Sequence, residues 1–225
     1  MLPFYSDENC IIYNGDCHDI MPLLLTGGYE EFDLLFMDPP FEIWQEIDVS
    51  LLPQHKTMIR FTNPVRRYDV YEHFGKPRWE LIWHFPDGRW VSHNGPRAHH
   101  EIILVYGETG EAYVGEPNED MTPRKPYRGT WGGEVQYVPR ERKLLTSVLT
   151  YPRFNPSNPG QCKPEALMRV LLEWIRPKTI LDPFMGSGTT LKIAKEMNAQ
   201  CIGIETEEEK CAHAVMRLAQ EVLPL

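Results

Sequence analysis

Ile180-Leu181-Asp182-Pro183-Phe184-Met185-Gly186-Ser187-Gly188-Thr189-Thr190 is the stretch on which the fold turns. Thr179, Ile180 and Leu181 form a short β-type run that stops at an acid and a proline. Two glycines one residue apart then lead into a helical pattern from Thr189, with Ile193, Ala194 and Met197 on one face. A second run, Cys201-Ile202-Gly203-Ile204, ends on Glu205, 23 residues after Asp182. Strand, glycine turn, helix and strand in that order make a βαβ unit, which predicts an α/β domain with parallel strands.

Working outward, a helix is expected from Pro164 at its first position, with Leu167, Val170, Leu171, Trp174 and Ile175 facing the core, ending before Pro177. A last helix would pack Ala212, Val215, Met216, Ala219 and Val222. The runs Cys10–Tyr13, Asp33–Met37, Thr57–Phe61, Glu80–Trp83 and Glu101–Tyr106 raise the expected strand count to seven, enough for one sheet. Residues 107–160 carry Gly and Pro throughout without a sustained period, and an inserted loop is expected there.

The chain has 225 residues, 42% of them hydrophobic and 24% charged, which suits a single domain over 1–225 and excludes a second large one. Five cysteines without a C-x-x-C pair argue against a disulfide framework and a zinc ribbon. His93, His99 and His100 cluster, but no cysteine or well-spaced acid completes a set of ligands, so no metal is expected. No basic segment followed by an apolar one opens the sequence, and nowhere do about 18 apolar residues run together, so a cytoplasmic protein without a membrane span is expected.

Two motifs carry chemistry. In a nucleotide-binding βαβ unit the acid ending the second strand bonds ribose hydroxyls, the place of Glu205 here. The turn lacks the third glycine of G-x-G-x-x-G, and no G-x-x-x-x-G-K-[ST] occurs, so a nucleoside without a pyrophosphate fits best. The second motif, Asp38-Pro39-Pro40-Phe41, directly follows the apolar strand Leu34-Leu35-Phe36-Met37. It supplies a carboxylate, a backbone carbonyl fixed by the next proline, and an aromatic face, at the sheet edge where open α/β folds bind ligands. Such a group suits a planar base with an exocyclic amine, whose two hydrogens the carboxylate and carbonyl can accept while the ring stacks.

Together these motifs resemble the S-adenosylmethionine-dependent amino-DNA methyltransferases of the circularly permuted β group, in which the Asp-Pro-Pro tetrapeptide precedes the glycine motif. The likeness extends to Asn14-Gly15-Asp16, to Gln161-Cys162-Lys163-Pro164 and to His100-Glu101-Ile102-Ile103-Leu104. It implies a Rossmann-like class I methyltransferase domain whose seven mostly parallel strands run in the order 3-2-1-4-5-7-6 with one antiparallel strand. It also implies that Gly186 and Gly188 let the backbone approach the methionine part of the cofactor, that Asp182 faces its ammonium group, and that Pro183 and Phe184 line the pocket. The helix start at Thr189 would meet the carboxylate, Glu205 the ribose and Asp16 the adenine edge. Lys163 matches the lysine the family places in this cofactor-side segment, with Cys162 where a polar residue is more usual.

The implied reaction is direct methyl transfer to the 6-amino group of adenine in a base flipped out of double-stranded DNA and held by Phe41. Asp38, Pro39, Pro40 and Phe41 would form the catalytic motif. The alternatives are the 4-amino group of cytosine and a non-catalytic, cofactor-binding partner subunit. The small size, with no evident nuclease region, resembles solitary phage- or prophage-type enzymes, and a role in restriction-modification stays open beside that. The formal charge of −9 divides into −11 over residues 1–50 and +2 over the rest. Residues 56–100 and 122–153 are basic, the latter with interleaved aromatics, so Arg66, Arg67, Arg124, Lys125 and Arg128 are the expected phosphate contacts. Either target readout within 107–160 is short, or a second subunit, as in a homodimer, supplies the rest.

Overall fold

The computed structural model describes residues 2–40, 48–86, 99–114, 127–128, 134–135, 143–153 and 162–219. Its main sheet has nine strands: β1 (Tyr5–Ser6), β2 (Cys10–Asn14), β3 (Glu31–Met37), β4 (Gln54–Thr62), β5 (Trp79–His84), β6 (His100–Gly107), β11 (Val148–Thr150), β12 (Thr179–Asp182) and β13 (Gln200–Glu205). They lie in the order β1-β2-β13-β12-β3-β4-β6-β5-β11. All seven expected strands form and follow the expected order, but the sheet holds two more, β1 and β11, one at each edge. The single antiparallel strand is also corrected to two, because β1 as well as β6 runs against its neighbours. These edge strands have two and three residues, too short for a period to register.

Two small antiparallel ribbons, β7 (Tyr113–Val114) with β10 (Lys143–Leu144) and β8 (Tyr127–Arg128) with β9 (Glu134–Val135), fall within 107–160, and β11 returns the chain from that segment to the sheet.

Helices α3 (Glu165–Ile175), α4 (Thr189–Glu196) and α5 (Glu208–Ala219) cover one sheet face. Their core includes Leu34, Phe36, Ile59, Phe61, Leu171, Ile180 and Ile193. Pro164 caps α3 rather than opening it, and the helix stops at Arg176, which takes a left-handed conformation (φ 53°) before Pro177. In α5 the buried face is Cys211, Ala214, Arg217 and Leu218, whereas Ala212 and Met216 face solvent. The apolar stripe expected there is thus rotated by about one residue, because Ala214 must pack against the glycine turn.

On the opposite face, α1 (Cys17–Thr26) packs Ile20, Met21 and Leu24 onto Leu35, Met37, Leu181 and Ile204, and α2 (Arg67–Phe74) packs Val70 onto Ile102 and Leu104. No described helix is long and apolar enough to cross a membrane. Leu171 is fully buried in the first core. Leu171→Ala should lose about 2–5 kcal/mol, read in urea as a lower midpoint with an unchanged slope.

Candidate functional site

Parallel pairing brings the acidic ends of three strands to one edge. Glu205 pairs with Asn14, Asp182 with Gly203, and Leu181 with Leu35, three residues before Asp38. The Asn14 side-chain amide donates to the carbonyls of Glu205 and Thr206, each at 3.0 Å, and the Gly15 amide donates to Glu205 O at 3.0 Å. These bonds hold the β2–α1 turn against the end of β13. Asp16 follows as the N-cap of α1, its Oδ1 accepting from the His18 amide and ring Nδ1, each at 2.8 Å. The His18 amide, with its ring, holds the Asp16 carboxyl below its usual range. The Asp16–Cys17–His18 grouping of potential ligand atoms follows from this cap. One oxygen of Glu205, Oε1, accepts from Glu207 N (2.9 Å) and Thr206 Oγ1 (3.2 Å).

The glycine turn leaves β12 at Asp182, which is buried and accepts from the Phe184 amide at 3.1 Å. Burial pushes its carboxyl up to about 7, against hydrogen bonds from Thr190 and Phe184 that oppose the shift; Asp38 and Glu205 add like charge. Gly186 has φ 54° and opens onto space, where an added Cβ would touch nothing within 4 Å. Gly188 (φ 77°) differs, since a Cβ there would sit 2.7 Å from Ala214 Cβ. Its lack of a side chain serves the packing of α5, so of the two glycines only Gly186 leaves open space for a ligand. Pro183 is buried, and Phe184 is half-buried against the α1-side core.

Arg217 ties this turn down. Its Nη1 donates to Ser187 O, Ser187 Oγ and Thr189 Oγ1, each at 3.1 Å, and its Nη2 to Glu165 Oε1 at 2.8 Å. Thr189 is therefore buried and bonded to the scaffold at the start of α4. Cys162 Sγ lies 2.6 Å from Ser187 Oγ, joining the start of α3 to the same turn. Sequence reasoning passed over Arg217; the available signal was a charge within the buried stripe of α5.

Lys163 is not on the glycine turn. Its Nζ donates to Asp38 Oδ2 at 2.6 Å and lies 3.6 Å from Glu101 Oε2. The ammonium sits 4.7 Å from the Phe61 ring centroid and 5.7 Å from that of Trp83, positions suited to cation–π attraction. Burial opposes its charge, but Asp38 and Glu101 outweigh burial and raise its pKa. Arg153 completes the chain of charges by donating to Glu101 Oε1 at 2.8 Å. The approach of α3 to β3 and β6 thus gives Lys163 two carboxylate neighbours, Asp38 and Glu101.

A second buried cation, Arg60, stands on β4 opposite Met37, 1% exposed, with its guanidinium 4.5 Å from the Phe74 ring centroid. Its Nε and Nη1 have no hydrogen-bond partner among the described residues, and burial pushes it down to about 10.

Pro39 is buried and Pro40 exposed. Phe41, Arg124 and Lys125 lie outside the described residues, and Arg128 is described only as part of β8. Arg66 immediately precedes α2 as its N-cap and reaches Asp69 at 3.3 Å with a half-exposed side chain. Arg67 bonds Glu80 (3.0 Å) and the Tyr68 hydroxyl (2.7 Å), an internal engagement its sequence position gave no sign of.

A sheet of this order, with a glycine turn and acids gathered at one edge, defines a Rossmann-like domain with permuted chain order. Residues 55–216 match the N6_N4_Mtase family, described as DNA methylase, and the chain belongs to that family. It is 28% identical over 240 residues to the type II methyltransferase M.BglII of Bacillus subtilis, covering 88% of this chain and 66% of that protein. It is also 28% identical over 149 residues to M.SmaI of Serratia marcescens, covering 63% and 46%. The chain thus spans less than two thirds of the length of these relatives.

Among solved structures, the M1.HpyAVI–SAM complex aligns with a TM-score of 0.67 at 19% identity, covering 93% of this chain and 99% of that one. The PvuII DNA methyltransferase, titled cytosine-N4-specific, aligns with a TM-score of 0.67 at 13% identity, covering 99% and 90%. Likeness at such identities establishes the fold.

Arg217→Met should free Ser187 and Thr189 and cost about 1.5–3 kcal/mol, the range for hydrogen bonds to a charged group. Urea denaturation checks this, with Arg217→Lys recovering part of the loss.

Proposed function

We propose that the protein transfers a methyl group from S-adenosylmethionine to an exocyclic amine of a base in double-stranded DNA, with the 6-amino group of adenine as acceptor. The observation that carries this reading is Asp38. Its carboxylate stands at the sheet edge beside the glycine turn, anchored through Oδ2, while Oδ1 takes no hydrogen bond among the described residues. An acceptor carboxylate with one oxygen engaged and one open suits an amine hydrogen.

The residues present fit the cofactor. Gly186 leaves room for a ligand to approach the backbone, Asp182 offers a buried carboxylate to an ammonium group, and Glu205 keeps Oε2 open for ribose hydroxyls. When bound, the cofactor supplies an electrophilic methyl on a sulfonium. An exocyclic amine is a poor nucleophile, since its lone pair is delocalised into the ring. Asp38 and the Pro39 carbonyl, accepting its hydrogens, favour the pyramidal form and stabilise the positive charge that develops at nitrogen. Phe41 would stack on the flipped base, and the arginine Arg66, with Arg124, Lys125 and Arg128, would meet phosphate. The aspartate that opens the tetrapeptide favours adenine over cytosine.

Incubating the protein with labelled cofactor and unmethylated duplex DNA, then analysing nucleosides, should yield N6-methyladenine. N4-methylcytosine would move the acceptor, and no labelled base with cofactor still bound would remove the enzyme reading. Asp38→Ala should abolish transfer while cofactor affinity stays within about twofold, as expected for a group acting in the transition state. Loss of cofactor affinity instead would mean the two sites are misassigned.

Cofactor binding should also depend on pH. An arriving ammonium favours ionised Asp182, whose carboxyl sits at about 7 without it. Affinity should weaken by about tenfold per pH unit below that value, because each binding event must then release a proton, and should fall again at higher pH where the ligand's own ammonium deprotonates. Calorimetry in buffers of different ionisation enthalpy would read that proton, and a pH-independent affinity would place the ammonium elsewhere.

A further inference from the structure

The surroundings of Lys163 are asymmetric in a way that ion pairing alone does not require. Glu101 is buried, its Oε1 is held by Arg153, and its Oε2 has no hydrogen-bond partner among the described residues although it faces Lys163 Nζ at 3.6 Å. The ammonium thus lies between two carboxylates, bonded to one at 2.6 Å and at 3.6 Å from the other, just beyond hydrogen-bond range. The Phe61 and Trp83 rings leave it without a solvating neighbour on their side. Arg60 and Asp182 also act on Asp38 through space, and Arg153 acts on Lys163.

A buried cation that loses its counter-charge is costly unless a second anion stands ready. Methyl transfer to an amine creates that situation. As the nitrogen–carbon bond forms and the carbon–sulfur bond breaks, the electron pair goes to sulfur and the nitrogen becomes cationic. It must then lose a proton, and Asp38 Oδ1 is the open acceptor. Once protonated, Asp38 no longer balances Lys163.

We propose that Lys163 and Glu101 form a counter-ion switch, in which Lys163 holds Asp38 while that carboxylate is ionised and passes to Glu101 Oε2 as Asp38 takes the proton from the methylated amine. This rests on the reading of an exocyclic amine as acceptor. Both residues are positioning residues, acting through Asp38. The proton leaves through Asp38 itself, whose side chain is 29% exposed, and the lysine then returns.

The test is the pH profile of the single-turnover rate on duplex DNA, measured with cofactor affinity for each variant. Lys163→Met removes the cation beside Asp38 and should move the acid limb of the rate profile up by about one pH unit. Glu101→Gln leaves the lysine with Asp38 as its one anionic partner, should move the acid limb down, and should slow transfer by about tenfold or more. Cofactor affinity should stay within about twofold in both.

A structural role would not shift the limbs in opposite directions. Shifts in the same direction would overturn the proposal, as would loss of cofactor affinity in Lys163→Met, which would return the lysine to the cofactor side. Should Lys163→Met fail to fold, the direction of the Glu101→Gln shift decides alone, and an upward or absent shift overturns the switch. Failure of the underlying reading looks different, since the wild-type protein would then methylate no base in DNA.

Discussion

Parallel pairing of β12 between β3 and β13 is the constraint on which the rest of the structure depends, because it ends three neighbouring strands on acids at one edge of the sheet. Asp38, Asp182 and Glu205 stand close enough that Asp182 feels both of the others. Carboxylates gathered in a partly buried edge repel one another, so the fold has to supply cations or leave an acid half-protonated. It does both. Lys163 bonds Asp38, while no cation among the described residues meets the Asp182 carboxylate, and burial pushes it up to about 7. A cationic ligand at that edge would relieve the imbalance, which gives a physical reason for a site of this composition to prefer a sulfonium amino acid derivative to a nucleotide phosphate.

Three largely enclosed cations divide the work. Arg217 reaches from α5 across the glycine turn and fixes its conformation through Ser187 and Thr189, so that Gly186 keeps its open side. Lys163 reaches from the start of α3 to the acceptor carboxylate and through Glu101 to Arg153 near the surface. Arg60 lies on the opposite sheet face, stacked on Phe74 with two buried nitrogens that find no partner among the described residues. The first two link separate segments of the chain, 162–165 with 187–189 and 217, and 38 with 101 and 163. The two halves of the site are thereby set relative to each other by charged contacts over the apolar core.

The central architecture was legible because it rests on local signals. Seven apolar runs, the turn glycines and the acids after Met37, Leu181 and Ile204 each mark their element in a few residues. What escaped depends on long-range approach. The edge strands β1 and β11 gain their geometry from β2 and β5 rather than from any pattern of their own. The buried face of α5 was misjudged because two stripes at helical spacing lie side by side in its sequence, and Ala214 against Gly188 selects between them. The partner of Lys163 was illegible for the same reason, since Asp38 is 125 residues away along the chain. Glu101 appeared in the sequence only as part of a strand, with nothing to show that its side chain would turn to that lysine.

Lys163 bonds Asp38 in the ligand-free protein, and the proposed reaction needs it to stay there when the cofactor is bound. A crystal structure of the protein with sinefungin, an unreactive amine analogue of the cofactor, tests that requirement most directly. The lysine should remain within hydrogen-bonding distance of Asp38 or Glu101, about 2.7–3.2 Å, with the analogue's amino group at Asp182. A lysine turned from both carboxylates onto the analogue's carboxylate would contradict it.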